Sequence, residues 1–384
     1  MSNEPHVLIA GGGSLGNVYP GLSIARRFLQ RVPNAKITLA GDGRAIERHT
    51  VSAFGLAYAT IPRADSPQGV LSAPGYVASN AAGWCVSHWL LREQEIDLVI
   101  SLGGHAAGPV VRAARASGVP YVIIEQNCLP TPATLAATRD ARLVCVAHEE
   151  SAPRLPMGAP VLYTGGVGRP GFEDAFGDGS SGWRQPEPNE AGRPRLVVLG
   201  GVGGATSLNA SMPQAASRLG EALSGWQIVH QTGDGWLTET ERRYQEAGVE
   251  AVAVTYIDEL AHLARETDLV VCRPSGSALA ELSLAGIPAA LVPDSRRRDA
   301  LHQENARLAE LRYGCPVVQE SEGDFSKRLA EQLAPLLIDS ASRQRIAERL
   351  AKNSQPHAAS VIAEACCSVL GVAAPGGQGL RRAA

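Results

Sequence analysis

Aromatic residues make up only 5% of this 384-residue chain, and its charges nearly cancel, 35 Lys and Arg against 38 Asp and Glu. That balance supplies no basic surface for wholesale nucleic-acid binding, so no nucleic-acid partner is expected. The seven cysteines, Cys85, Cys128, Cys145, Cys272, Cys315, Cys366 and Cys367, form no CxxC. An odd, scattered set argues against a disulfide framework or zinc site and fits a reducing compartment. The opening stretch MSNEPHVLIAGGG lacks a basic region followed by a long apolar one, so no signal peptide is expected. No uninterrupted apolar run reaches spanning length. Together these absences point to a cytoplasmic protein.

What is abundant is glycine, 41 residues, with 25 prolines. That mix suits an α/β protein with many tight strand-to-helix turns. Short runs rich in Val, Ile and Leu recur at His6–Ala10, Lys36–Ala40, Leu98–Ser101, Tyr121–Glu125 and Leu143–Ala147. They are apolar on both faces, as buried parallel strands are. Helical stretches such as Gly21–Arg31 and Pro109–Ser117 lie between them. The pattern stops at Glu173–Arg195, which is polar and rich in Gly, Pro and Ser and reads as a linker. It then restarts. RLVVLGGVGGATSLNASMPQAASRL repeats the logic of HVLIAGGGSLGNVYPGLSIARRF: buried strand, Gly-rich turn, amphipathic helix. Strands are expected at Gln227–Gln231, Val252–Thr255, Leu269–Cys272 and Ala289–Val292. The reading is an α/β chain of two Rossmann-like domains, residues 1–172 and 196–355, joined by a linker at 173–195. Such pairs normally place a ligand in the cleft between them, at the carboxyl ends of the strands. The last helical segment, roughly Ser340–Leu370, is punctuated near Pro356 and is expected to pack back on the first domain. Residues 356–384 then form a C-terminal helix and a frayed tail.

The first turn carries Gly11-x-Gly13-x-x-Gly16 between a strand and a helix, a geometry that brings N–H groups to a phosphate. Asp42 closes the next strand, about where the acid of a dinucleotide site would sit. A nicotinamide-dependent oxidoreductase and a merely tight turn both fit this motif alone. Further on, Gly103–Pro109 (GGHAAGP) opens a helix, and Glu125-Gln126-Asn127 ends a strand in three polar residues. A strand ending in that way faces a cleft more often than a core, because buried amides and carboxylates need partners. Arg169 ends GGVGR. The second half carries Gly200–Ala205 (GGVGGA), His230–Gly233 (HQTG), Tyr256–Leu260 (YIDEL), Arg273–Glu281 (RPSGSALAE) and His302–Ala306 (HQENA).

In this order the landmarks resemble those of the MurG family: AGGGTGGHVYPALAIA, GGYxSGP, HEQN, GNPVR, GGSQGA, HQTG, YIDEM, RAGASTIAE and HQTxNA. The resemblance runs from near residue 7 to near residue 310. It implies a GT-B fold and an inverting, metal-independent N-acetylglucosaminyltransferase acting in peptidoglycan synthesis. UDP-N-acetylglucosamine is then the donor substrate, no cofactor is used, and the acceptor is an undecaprenyl-linked muramyl peptide. The lack of any Asp-x-Asp agrees with metal independence. The resemblance makes residues 1–172 the acceptor side and 196–355 the UDP-sugar side. It gives Glu281 to the ribose hydroxyls, Ile257 to the uracil and Gln303 to the donor sugar. Val202, Gly203, Gly276, Ser277, Ala278 and Leu279 follow as further donor contacts. Ser14, Leu15, Gly16, Asn127 and Arg169 join them from the first half. The acceptor implies work at the cytoplasmic face of the inner membrane, and Val70–Leu91, with Tyr76, Trp84 and Trp89, is the candidate contact.

The match departs at four places that matter. Leu15 stands where the family has Gly, Val202 where it has Ser, Gly203 where it often has Gln, and Asn17 where it has His. The acceptor hydroxyl loses a proton as it attacks, and an amide cannot take it. The catalytic candidates are therefore Asn17 as orienting group and Glu125 or His105 as a displaced base. Alternatives stay open: a relative with another acceptor, a sugar-nucleotide epimerase, or a binding protein that holds UDP-sugar without turnover.

Overall fold

The computed structural model describes residues 4–62, 73–177, 186–188, 192–294, 300–320 and 323–372. The chain divides into two compact units: Met1–Gln126, Pro130–Arg169 and His357–Ala384 in one, Asn127–Leu129 and Pro170–Pro356 in the other.

In the first unit the order is β1 (His6–Ala10), α1 (Leu15–Arg31), β2 (Lys36–Gly41), α2 (Ala45–Ala53), β3 (Ala57–Thr60) and α3 (Ala73–Glu93). Then come β4 (Leu98–Ser101), α4 (Gly104–Ser117), β5 (Tyr121–Glu125), α5 (Pro132–Thr138), β6 (Leu143–Val146) and β7 (Val161–Tyr163). The strands form one parallel sheet in the order β3-β2-β1-β4-β5-β6-β7. Strand alternation divides its core in two. Val7 and Ile9 join α1 residues Ile24 and Phe28 on one face. Leu8 and Ala10 join Val110, Leu90 and Leu91 on the other. The inner strands are thus buried on both sides, which is why their sequences are apolar throughout.

The second unit runs α6 (Phe172–Phe176), β8 (Arg195–Leu199), α7 (Thr206–Leu219), β9 (Gln227–Gln231), α8 (Leu237–Glu246), β10 (Val252–Val254) and α9 (Leu260–Arg265). It continues with β11 (Leu269–Cys272), α10 (Gly276–Ala285), β12 (Ala289–Leu291), α11 (Ala300–Tyr313), α12 (Phe325–Ile338) and α13 (Ser340–Lys352). Its parallel sheet has the order β10-β9-β8-β11-β12. The last helix, α14 (Ala358–Leu370), belongs to the first unit, where Ala359, Ile362, Ala363 and Cys366 pack on the α1 face.

The expected 173–195 linker is structured at both ends. Glu173–Phe176 lies in α6, whose Phe172 and Phe176 are core residues of the second unit. Arg195 opens β8 and is held by Asp268 and Glu266. The tail beyond Val372 lies outside the described residues.

In both sheets strand order reverses beside the first strand: between β1 and β4, and between β8 and β11. Ligands of open α/β sheets bind outside the carboxyl ends of the strands at such a switch point.

Candidate active site

At the switch point of the first unit the loop after β1 meets the loop after β4. Gly104, at φ 75, lets them touch: a Cβ there would lie 2.4 Å from the Gly12 carbonyl oxygen and 2.8 Å from Asn17 Nδ2. Asn17 Nδ2 donates to that same Gly12 carbonyl at 2.9 Å. His105 follows directly, with its ring over Gly13, where a Cβ would meet Nδ1 at 2.9 Å. Its Nδ1 stands 4.0 Å from Asp42 Oδ2; the imidazole is half exposed and the carboxylate 2% exposed.

A buried carboxylate organises this corner. Glu47, fully buried on α2, accepts the Gly13 N–H at 2.9 Å through Oε1. Its Oε2 accepts the Asp42 N–H at 3.0 Å and the Tyr58 hydroxyl at 2.7 Å. Burial, then the bond to Glu47, push the Tyr58 hydroxyl pKa well above its usual range. A pyrophosphate laid on this turn would meet Glu47 and Asp42 and find the Gly13 N–H already donated, which removes the dinucleotide reading. Of the donor contacts expected here, Ser14 and Gly16 are exposed, but Leu15 is 2% exposed and its side chain serves the core.

Glu125 is not placed as a free base. It is 3% exposed, and its Oε2 accepts the Thr134 hydroxyl at 2.6 Å and the Thr131 N–H at 3.2 Å. It holds the loop leading into α5. Gln126 accepts the Val167 N–H at 2.7 Å, and the Arg169 guanidinium lies 5.1 Å from the Tyr19 ring centre. A cavity of about 130 Å³ opens beside the His105 loop, lined by Gly103, Ala107, Val111 and Ile123 with Arg112 and Arg115.

At the switch point of the second unit, Leu199 and Cys272 pair as the last residues of β8 and β11. The glycine loop into α7 and the Arg273–Ser275 loop into α10 are therefore neighbours. Arg273 ties them: it donates to Ser207 Oγ at 3.0 Å and to the Val292 carbonyl at 2.8 Å, and pairs with Glu320 at 2.5 Å. Ser275 caps α10 by accepting the Ala278 N–H at 3.2 Å. Two helix N-termini thus open side by side, each presenting N–H groups and the positive end of its dipole. Gly203 is exposed, Val202 and Ser277 are half-buried, and Gly276 and Leu279 are buried. Glu281, 7% exposed, lines a small apolar pocket with Phe172, Leu199, Leu260 and Ala278. The Ile257 N–H goes to Gln231 Oε1 at 3.2 Å. Gln303 forms a reciprocal amide pair with Gln319, at 3.2 and 3.0 Å. Asn127 belongs to this unit through buried Asn305, which donates to Asn127 Oδ1 and the Pro274 carbonyl and accepts the Cys128 N–H. A roomier cavity, about 250 Å³, lies at the opposite, amino ends of the strands around Asp268 and Pro288 and is no part of this site.

Residues 7–146 match the glycosyltransferase family 28 N-terminal domain, and 195–362 its C-terminal domain. A Symbiobacterium thermophilum protein is 32% identical, the alignment covering 93% of this chain and 94% of the relative. A Trichlorobacter lovleyi protein is 30% identical, over 93% and 96%. The chain belongs to glycosyltransferase family 28. Both relatives are named UDP-N-acetylglucosamine--N-acetylmuramyl-(pentapeptide) pyrophosphoryl-undecaprenol N-acetylglucosamine transferase. Among solved structures, Acinetobacter baumannii MurG superposes with a TM-score of 0.69 at 21% identity, covering 94% of this chain and 99% of that one. A putative UDP-N-acetylglucosamine 2-epimerase from Listeria monocytogenes gives 0.67 at 12%, covering 98% and 99%. At these identities the likeness speaks for fold alone, and the fold of this family 28 chain is GT-B.

Glu47, Tyr58, Gln319 and Glu320 were not legible as site residues. Each acts through a contact distant in sequence, and no local motif marks such a contact. Asp42 was visible only as the acid closing β2.

Proposed function

We propose that this chain transfers N-acetylglucosamine from UDP-N-acetylglucosamine to undecaprenyl-pyrophosphoryl-N-acetylmuramyl peptide, with inversion and without a bound metal. The observation that carries this reading is 30–32% identity over 93% of the chain to relatives named for that transfer. We assign the donor site to the second unit. Charge on departing UDP is stabilised by the paired N-termini of α7 and α10, where N–H dipoles point at the diphosphate. Glu281 takes the ribose hydroxyls, since one carboxylate accepts two donors at once. With the Ile257 N–H given to Gln231, the Ile257 carbonyl is the group we assign to uracil. Gln303, steadied by Gln319, and Asn127, steadied by Asn305, complete the polar wall toward the sugar. Ser14, Gly16 and Arg169 stay with the donor contacts in this reading; Leu15 contributes through its backbone only.

The acceptor is lipid-linked, so the chain works at the cytoplasmic membrane face. Helix α3 is the contact we favour: Val77 is 64% and Trp89 60% exposed. Trp84, expected to join them, stacks on His88 and packs against the core instead, and residues 70–72 lie outside the described part. No helix among the described residues is long and apolar enough to cross a membrane.

The test is steady-state transfer from UDP-N-acetylglucosamine to the undecaprenyl-linked muramyl acceptor in detergent. Formation of the disaccharide lipid is expected. Tight UDP-sugar binding with no transfer would make the chain a binding protein, the reading that Asn17 favours.

A further inference from the structure

We propose that His105, positioned by Asp42, takes the proton from the acceptor hydroxyl, a task that the neighbouring Asn17 cannot perform. This rests on the transfer reading above. The glycine contact at Gly104 brings the β4–α4 loop against the β1–α1 loop, so His105 stands beside residue 17. Asn17 has spent its amide on the Gly12 carbonyl, and an amide accepts no proton near neutral pH. Glu125 is buried under the Thr134 hydroxyl and Thr131 N–H. Of the three candidates only His105 is half exposed, at 51%, while being backed by a carboxylate that is 2% exposed.

At 4.0 Å the Asp42 carboxylate faces Nδ1 at ion-pair rather than hydrogen-bond distance. It favours a proton on that nitrogen and leaves Nε2 as acceptor. In the step, the acceptor O–H proton passes to Nε2 as its oxygen bonds to the anomeric carbon. The carbon–phosphate oxygen bond breaks with its electron pair, which leaves on UDP. The imidazolium, stabilised by Asp42, then returns its proton to solvent. Among the described residues, the groups packed around the pair include Glu47 on α2 and Tyr58 on β3, both titratable, and neutral Asn17 from the α1 side. Glu47 bonds the N–H of Asp42 and of Gly13, so it fixes Asp42 and the turn over which the His105 ring lies.

The experiment measures kcat and KM across pH for the full chain and for His105→Gln, Asp42→Asn and Asn17→His, with UDP affinity by calorimetry. His105→Gln should lower kcat by about 10²–10³-fold, keep UDP affinity and abolish the acid limb of the kcat profile. Asp42→Asn should lower kcat roughly tenfold at unchanged donor KM and move the acid limb to lower pH. A His105→Gln enzyme within about threefold of wild type, acid limb intact, overturns the proposal. So does a near-inactive wild type that Asn17→His awakens. If both transfer nothing while UDP-sugar binds, the acceptor reading fails instead, and imidazole NMR decides the pair. A His105 titration midpoint that falls in Asp42→Asn upholds the coupling; an unmoved one refutes it.

Discussion

Burial suits Glu281 to the ligand role proposed for it and fits His230 for a structural one. Glu281 is a nearly buried carboxylate on the helix that Ser275 caps, and it faces an apolar pocket. A charged acceptor there gains from hydroxyl donors that reach it, by about 1.5–3 kcal/mol. Glu281→Ala should therefore weaken UDP affinity about tenfold by calorimetry, with the folding transition kept. Unchanged affinity would reject the ribose assignment. His230, in the HQTG segment, is fully buried between Asn209 Oδ1 at 3.1 Å and the Tyr244 hydroxyl at 3.0 Å. Because Asn209 Oδ1 can only accept, Nε2 carries the proton and Nδ1 accepts from Tyr244. Burial pushes the His230 pKa from 6.5 down to about 3. The folded state thus binds fewer protons than the unfolded chain below pH 6.5, and stability falls as pH drops through the window from there toward 3. By pH 4.5 this amounts to about 2–3 kcal/mol. In denaturant titrations of the second unit, His230→Gln should flatten the decline between pH 6.5 and 4.5 by about that amount. An identical slope in the variant would show that His230 is not its source. The sequence makes Glu281 a candidate through its motif. It could not rank Glu125 below His105, because the hydroxyl covering Glu125 and the carboxylate behind His105 come from other elements.

Strands were the most legible elements, since burial on both faces leaves a run of Val, Ile and Leu that nothing else in the chain imitates. The two missed strands, AYAT at β3 and VLY at β7, are the edges of the first sheet, short and partly exposed, so neither shows that run. Helix starts were read too late at α1 and α4, because Gly16 and Gly108 look like loop residues although both lie inside helices. Linker composition likewise hid α6, five residues long, whose two phenylalanines are core. The return of α14 to the first unit was readable in outline from the break at Pro356. Its apolar face, Ala359, Ile362, Ala363 and Cys366, needed a partner, and α1 supplies it. Helix α3 poses the opposite case, an element with apolar residues turned outward. It packs on α4, yet Val77 and Trp89 remain largely exposed, with exposed Arg92 near its end. An interfacial helix gains by burying such side chains at the headgroup boundary, about 1.5–3 kcal/mol for each large one. Val77→Glu with Trp89→Glu should cut flotation with anionic vesicles roughly tenfold or more without lowering transfer to a detergent-dispersed acceptor. Equal flotation of variant and wild type would place the membrane contact elsewhere.

The whole molecule consists of two sheets with separate cores, each complete within its own unit. Separate cores permit separate opening, so a ligand held by one unit stabilises that unit's opening reactions first. The proposed donor contacts with the strongest geometric support all lie in the second unit. They are the glycine loop at Gly200–Ala205, Ile257, the capped start of α10, Glu281, Gln303 and Asn127. The first unit's glycine turn, by contrast, is filled by Glu47 and Asp42 and offers no cradle for a diphosphate. UDP at about one hundred times its Kd stabilises the state that binds it by about 2.7 kcal/mol. Amide exchange followed by mass spectrometry should therefore slow on UDP addition in peptides from β8, α7, β11 and α10, by up to about a hundredfold where exchange requires the second unit to open. Peptides from β1, β4 and β5 should change far less. Protection that appears equally in both units would mean that they open as one. Protection centred on the Gly11–Gly16 turn would move the nucleotide to the first unit and overturn the division of labour proposed for the two halves.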